Sequence, residues 1–250
     1  FKMGHIEEAL GEFKEALHIL PAYSRARYYS AACLYFLGRE ADAKEEMIGA
    51  LSIDYGIEKE MGLAGHLMLG VGDYDSALGL LERARAEDAG NPSMYSTLGI
   101  AYLRKGKLAK AEELFLKSIE IDPKHTEALL QLGEICRKRQ DLDGAIAYLE
   151  RAKDASPGFA DVRYRLGEAY LGRDEADRAI AEFEGALRIN ANFVEARIAA
   201  SFALRRLGRE DEALRQIDQV LAIDPHNVIA LAEKQSFVID KPATGKQSVQ

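Results

Sequence analysis

Two groups of residues are of the types that hold other molecules. One is aromatic: Tyr28, Tyr29, Tyr35 and Phe36, with His66 further along. The other is basic: Arg104, Arg137, Lys138 and Arg165. Aromatic rings supply large, stiff contact areas and dominate many interfaces, while guanidinium and ammonium groups capture acidic segments or chain-terminal carboxylates. Catalytic chemistry finds no comparable set. His5, His18, His66, His125 and His226 are widely separated and lack metal-ligand spacing, so no metal site is expected. The pairs Glu7-Glu8, Glu45-Glu46 and Glu112-Glu113 read as solubilising charge. Neither a phosphate-binding glycine loop nor a nucleophile elbow occurs, and no cofactor is expected.

Positioning these groups falls to a repeat. Alanine recurs every 34 residues at Ala9, Ala43, Ala77, Ala111, Ala145, Ala179 and Ala213. Such a period means one supersecondary unit copied along the chain, each copy burying its apolar face only when stacked on the next. Glycine keeps the same step at Gly4, Gly38, Gly72, Gly106 and Gly208, with Gln140 and Asp174 at the exceptions. Each position predicts a left-handed residue closing a helix, with Gln140 the poorest fit and its turn altered. Another small row, Ala31, Gly65, Gly99, Gly133, Gly167 and Ser201, predicts close helix crossing, with the alanine row as its partner. Large rows fill the space between units: Phe13, Met47, Leu81, Phe115, Leu149, Phe183 and Ile217 on the second helix, and Leu34 to Leu204 on the first. Pro21, Pro123, Pro157 and Pro225 separate successive units, with Tyr55, Ala89 and Ala191 replacing them elsewhere.

These anchors carry a resemblance. The copy Tyr95, Leu98, Gly99, Tyr102, Gly106, Ala111, Phe115, Pro123 is similar to the tetratricopeptide repeat (TPR) signature at every anchor. Resemblance extends from Gly4 to about Ile239 and is weakest from Ser24, where Arg27 and Ser30 replace a large aromatic and a leucine. It implies an all-α, right-handed superhelical solenoid with first helices lining a concave groove. Residues 1–23 form the second half of a truncated repeat, 24–227 six full repeats, 228–239 a capping helix with Lys234 and Gln235 toward solvent, and 240–250 a disordered tail. Because the pattern opens in mid-repeat, upstream sequence is expected, and Ala9, Phe13 and Ala16 should present an open face for self-association.

Within the implied groove, the aromatic group forms an N-terminal zone and the basic group a C-terminal one. The rings could equally pack between helices, and the arginines could pair with Glu134 and Glu168 one turn away. The carboxylate clamp of chaperone-binding TPR proteins is not matched at Tyr28 with Ala32 or Ser96 with Ile100. The asparagine ladder of O-linked sugar transferases is not matched at Tyr29, Leu63, Thr97, Gln131 and Arg165 either. A net charge of −8 argues against nucleic acid. No apolar stretch approaches membrane-spanning length. Cys33 and Cys136, in equivalent stretches three repeats apart, read as unpaired and buried. They lean toward a reducing compartment, cytoplasmic rather than periplasmic, without excluding the latter. The expected function is a non-catalytic scaffold binding a peptide or helical segment of a partner protein; the alternative is a regulatory or targeting arm of a larger enzyme or assembly.

Overall fold

The structure, a computed structural model, describes residues 3–53 and 61–239. Expectations for Tyr55 and for the tail at 240–250 lie outside the described residues. The described chain is all-α: α1 (Met3–Ile19), α2 (Ser24–Phe36), α3 (Glu40–Ser52), α4 (Met61–Gly70), α5 (Tyr74–Glu87), α6 (Pro92–Arg104), α7 (Leu108–Ile121), α8 (Thr126–Lys138), α9 (Leu142–Ala155), α10 (Ala160–Gly172), α11 (Ala176–Ile189), α12 (Val194–Arg206), α13 (Glu210–Ile223) and α14 (Val228–Ile239). Even-numbered helices are the first of each repeat and odd-numbered helices the second. They fall into two compact units, Phe1–Ala128 and Leu129–Gln250.

Every described turn between the first and second helices of a repeat closes on a left-handed residue. Gly38, Gly72, Gly106 and Gly208 have φ of 71° to 78°, and Gln140 and Asp174 both have φ 63°. The Gln140 turn is not altered. Asp141 N–H donates to the Cys136 carbonyl at 2.9 Å, as Arg39 N–H does to Leu34 and Glu175 N–H to Tyr170. These bonds satisfy carbonyls that would otherwise be orphaned at the helix end. Gly4 departs from its row because it lies inside α1. Between repeats, α5 stops at Glu87 and α6 starts on Pro92, with the Asn91 side chain accepting from Ser93 N–H at 3.0 Å.

The glycine row meets the large residues most closely, with the alanine row beside them: a Cβ on Gly65 would lie 2.5 Å from Leu81 and 3.3 Å from the Ala77 carbonyl oxygen. A Cβ on Gly99 would lie 2.5 Å from Phe115, one on Gly167 2.5 Å from Phe183, and one on Gly133 2.7 Å from Leu149. The large residue sixteen positions on occupies the space, so the big side chains of the second helix fill the gap within their own repeat. The alanine row lies one turn earlier on that stripe and is buried from Ala43 to Ala213.

Arg27 keeps the Ser24 copy in the fold by a second chemistry. Its Nη1 donates to Glu46 on α3 at 3.0 Å, and a Cβ on Gly49 would lie 3.0 Å from the same nitrogen. Arg163 repeats the arrangement with Glu182 at 2.7 Å over Gly185, while Lys153 holds the other carboxylate oxygen at 2.9 Å. Arg197 stands in the same row but meets Gln216 at 3.2 Å, and its buried Nε has no hydrogen-bond partner among the described residues. Gln216→Glu supplies the missing carboxylate and is expected to raise the stability of the second unit by up to about 1 kcal/mol. A higher urea midpoint is the expected reading; an unchanged or lower one contradicts the pairing.

At the N-terminal end, Ala9, Phe13 and Ala16 are half-buried rather than fully open, because Phe13 stacks on Tyr29 at 5.6 Å. Cys33 and Cys136 form no disulfide among the described residues and are half-buried rather than buried, and desolvation pushes the Cys33 thiol up. On α14, Lys234 and Gln235 face solvent, yet Val228, Ile229 and Leu231 are exposed too.

Candidate functional site

Of the aromatic group in the first unit, Tyr28 is fully buried in the core and cannot meet a partner in this conformation. Tyr35 is half-buried and packs against the same core. Tyr29 is partly exposed, with one side of its ring on Phe13 and its edge toward Tyr28. Phe36 is the most exposed of the four, at 61 %, with its ring against that of Tyr35 at 5.8 Å. His66 is exposed on α4, its Nδ1 3.5 Å from Thr97 Oγ1, and partial desolvation lowers its pKa. Arg104 is exposed at the end of α6. These residues do not form one aromatic groove.

In the second unit the basic residues are drawn into ion pairs. Arg137 forks onto Glu134 at 2.9 and 3.2 Å, and this partner raises its pKa. Arg165 lies 3.2 Å from Glu168 and 3.8 Å from both Glu134 and Asp161. Desolvation opposes its charge, yet those three carboxylates hold its pKa above the usual arginine range. Such charges are poorly placed to capture a separate carboxylate, since a partner would first have to displace an existing one. Lys138 remains exposed.

What the second unit does present is a cavity of about 440 Å³ along its first helices. Tyr164, Leu171, Ile198, Ala199, Phe202 and Ile229 give it an apolar floor and walls. Arg137, Glu168, Glu195 and Arg206 stand around it. Phe202 is 38 % and Ile229 55 % exposed, so large apolar surface faces the opening. Tyr164 is held between Phe183 and Phe193, at 6.0 and 5.2 Å, and its hydroxyl donates to Glu168 at 3.2 Å. Gly172, at the end of α10, lies on the rim, where a Cβ would come within 3.3 Å of Leu142 on α9. Tyr164, Phe202 and Ile229 are absent from the groups picked out in the sequence. Reading down their rows finds two of them: Phe202 is apolar where Glu134 and Glu168 stand, and Ile229 is apolar where Glu127, Asp161 and Glu195 stand.

Desolvation, followed by the negative charge of Glu168, pushes the Tyr164 phenol up to about 12. The neutral phenol therefore contributes stability that is complete below the ordinary phenol value near 10. That contribution is lost as pH climbs through its own value. Tyr164→Phe, which cannot ionise, is expected to lose less stability than wild type across that interval. Parallel declines in the urea midpoint contradict this.

A second surface cavity, of about 390 Å³, lies in the first unit between α5 and α7. Its charges are matched locally: Arg85 with Glu82 at 2.6 Å, Lys110 with Glu113 at 2.8 Å and Lys117 with Glu120 at 2.9 Å. It offers less apolar surface than the cavity in the second unit.

Comparison with known proteins agrees with the helix-pair architecture. The human aspartyl/asparaginyl beta-hydroxylase (Homo sapiens) is 26% identical over 174 residues, which are 65% of this chain and 23% of that protein. The chain spans between 18% and 28% of the curated relatives it matches. Among solved structures, the Cut9-Hcn1 hetero-tetramer of APC/C matches with a TM-score of 0.74 at 17% identity, over 93% of this chain and 46% of that one. YrrB, a TPR protein with an unusual peptide-binding site, matches with a TM-score of 0.59 at 20% identity, over 76% and 97%. At these identities the two structures speak for the fold alone. A model of the tetratricopeptide repeat matches at residues 68–132, 106–158, 137–183 and 172–235, well over half of the sequence. With its 34-residue period, left-handed turn row and sequential helix pairs, the chain belongs to the tetratricopeptide repeat family.

Proposed function

We propose that this TPR protein is a non-catalytic scaffold that holds a segment of a partner protein against the first helices of its second unit. TPR domains in general mediate protein–protein interactions, and the partner class follows from that. The observation that carries the reading is the open apolar surface of Tyr164, Phe202 and Ile229, of the kind that marks a binding groove. The charged residues around it favour binding over catalysis, since Arg137 and Glu168 are tied to protein partners and the Tyr164 phenol beside Glu168 is held in its neutral form. No helix among the described residues is long and apolar enough to cross a membrane.

The test is equilibrium binding of peptides selected from a random linear library on the wild-type protein, repeated on Phe202→Glu. Losing a central aromatic anchor and placing a charge there is expected to weaken binding by at least about thirtyfold. Equal affinities would overturn the groove. A second reading, an arm of a larger enzyme, draws support from the match to a hydroxylase of which this chain spans 23%. The mass of the native protein in its source cells tests it: a mass equal to that of this chain would remove it.

A further inference from the structure

Resting on that reading of the groove, we infer the form and polarity of the segment it takes. It is an amphipathic α-helix of about three turns lying antiparallel to α12, its acidic first turn against Arg206 and its basic last turn against Glu195. On α12 Glu195, Ile198, Phe202 and Arg206 follow one another at steps of three or four, with Ala199 beside Ile198 and four residues from Glu195, which places them in one stripe. That stripe is about 16 Å long at 1.5 Å per residue, the length of three helical turns. Apolar residues occupy its middle and opposite charges its ends.

Those end charges are the ones open to a partner. Glu195 is exposed and makes no ion pair among the described residues. Among the described residues, the exposed Arg206 meets the Leu171 carbonyl at 3.1 Å and Asp174 at 3.5 Å, a carboxylate that is itself 90% exposed. The other two charges of the cavity, Arg137 and Glu168, are engaged with Glu134 and with Arg165 and Tyr164.

Backbone chemistry selects a helix over an extended strand. The groove is built from helices, whose main-chain groups are already bonded, and its lining residues include neither Asn nor Gln. An extended segment would lay its own N–H and C=O groups on Ile198, Ala199 and Phe202 without partners, which is costly. A helix satisfies them internally and offers apolar side chains at matching steps. Direction follows from the dipole: acidic residues stabilise the first turn of a helix and basic residues the last. The sequence that best complements Arg206 and Glu195 is therefore also a stable helix when its acidic end lies at Arg206. That orientation sets its dipole against that of α12.

The experiment pans one library of random linear peptides on wild type, on Phe202→Glu and on the exchange Glu195→Arg with Arg206→Glu, each checked for helicity by circular dichroism. Wild type is expected to enrich peptides with apolar residues at helical spacing, acidic at the start and basic at the end. The exchange variant is expected to enrich the same class of peptide lying the other way round, so a nitroxide on the peptide's first turn should broaden amides at the Arg206 end of α12 in wild type and at the Ile198 end in the exchange variant. Enrichment that depends on Phe202, with broadening at the same end of α12 in both proteins or at the Ile198 end in wild type, overturns the polarity and leaves the groove standing. Enrichment of sequences with proline in mid-segment overturns the helix. Enrichment indifferent to Phe202→Glu, or none on any protein, overturns both the inference and the groove reading beneath it.

Discussion

Phe183→Ala is expected to destabilise the second unit by about 3–5 kcal/mol, among the largest effects a single substitution in this chain can have. Phe183 is fully buried on α11 and fills the space above Gly167 on α10, with Tyr164 at 6.0 Å on its other side. Its neighbours Ala179 and Ala186, also fully buried, are too short to collapse into the vacancy. Because Tyr164 leans on Phe183, the loss also loosens one wall of the groove. Urea unfolding with amide exchange read at α10 and α11 checks this; exchange in α10 should accelerate along with that in α11. A loss below about 1 kcal/mol would mean that the ring is not the filler of this repeat.

The second prediction is a contrast of sign between two glycines. Replacing Gly by Ala inside a helix ordinarily stabilises by about 1 kcal/mol. Gly79 lies in mid-α5, is exposed, and has nothing within 4 Å of a new Cβ, so Gly79→Ala is expected to show that gain. Gly167→Ala puts a carbon 2.5 Å from Cε1 and 2.7 Å from Cδ1 of Phe183, a ring locked in the core. Overpacking of that kind costs about 1–3 kcal/mol, which exceeds the helix gain, so the net change is a loss. The chain contains its own remedy. At the equivalent positions Ala31 and Met47 share one buried cluster, so Gly167→Ala with Phe183→Met should recover most of the loss. If both glycines gain on substitution, the close approach along this row is not what holds the repeat together.

How far the sequence could be read follows from which physical signals a spacing carries. A left-handed turn is a backbone requirement and shows in residue type, so the row from Gly38 to Gly208 was legible, and Gln140 accepts that conformation without changing the turn. The nearest neighbour of the small row was not. Residues one turn apart on a stripe have the same spacing to the facing helix, so arithmetic cannot separate Ala111 from Phe115 as the neighbour of Gly99. Burial of a single ring was hidden for a similar reason: Tyr28 and Tyr164 occupy the same row, yet one is in the core and the other lines a cavity. The arginines were half legible. Glu134 and Glu168 three residues from Arg137 and Arg165 announced the pairs that now engage those charges. Phe202 and Ile229 went unremarked because attention fell on clusters of aromatic or basic type. Their signal is an apolar residue standing where the immediately preceding copies are acidic, Glu134 and Glu168 before Phe202 and Glu127, Asp161 and Glu195 before Ile229.

The central claim is that a partner segment lies on the first helices of the second unit. The most direct measurement is backbone amide chemical-shift mapping of the protein with a peptide selected on it. The account predicts that shifts gather at Tyr164, Ile198, Ala199, Phe202 and Ile229. Shifts gathered instead at Leu114, Leu116 and Lys117, around the cavity between α5 and α7, would contradict it.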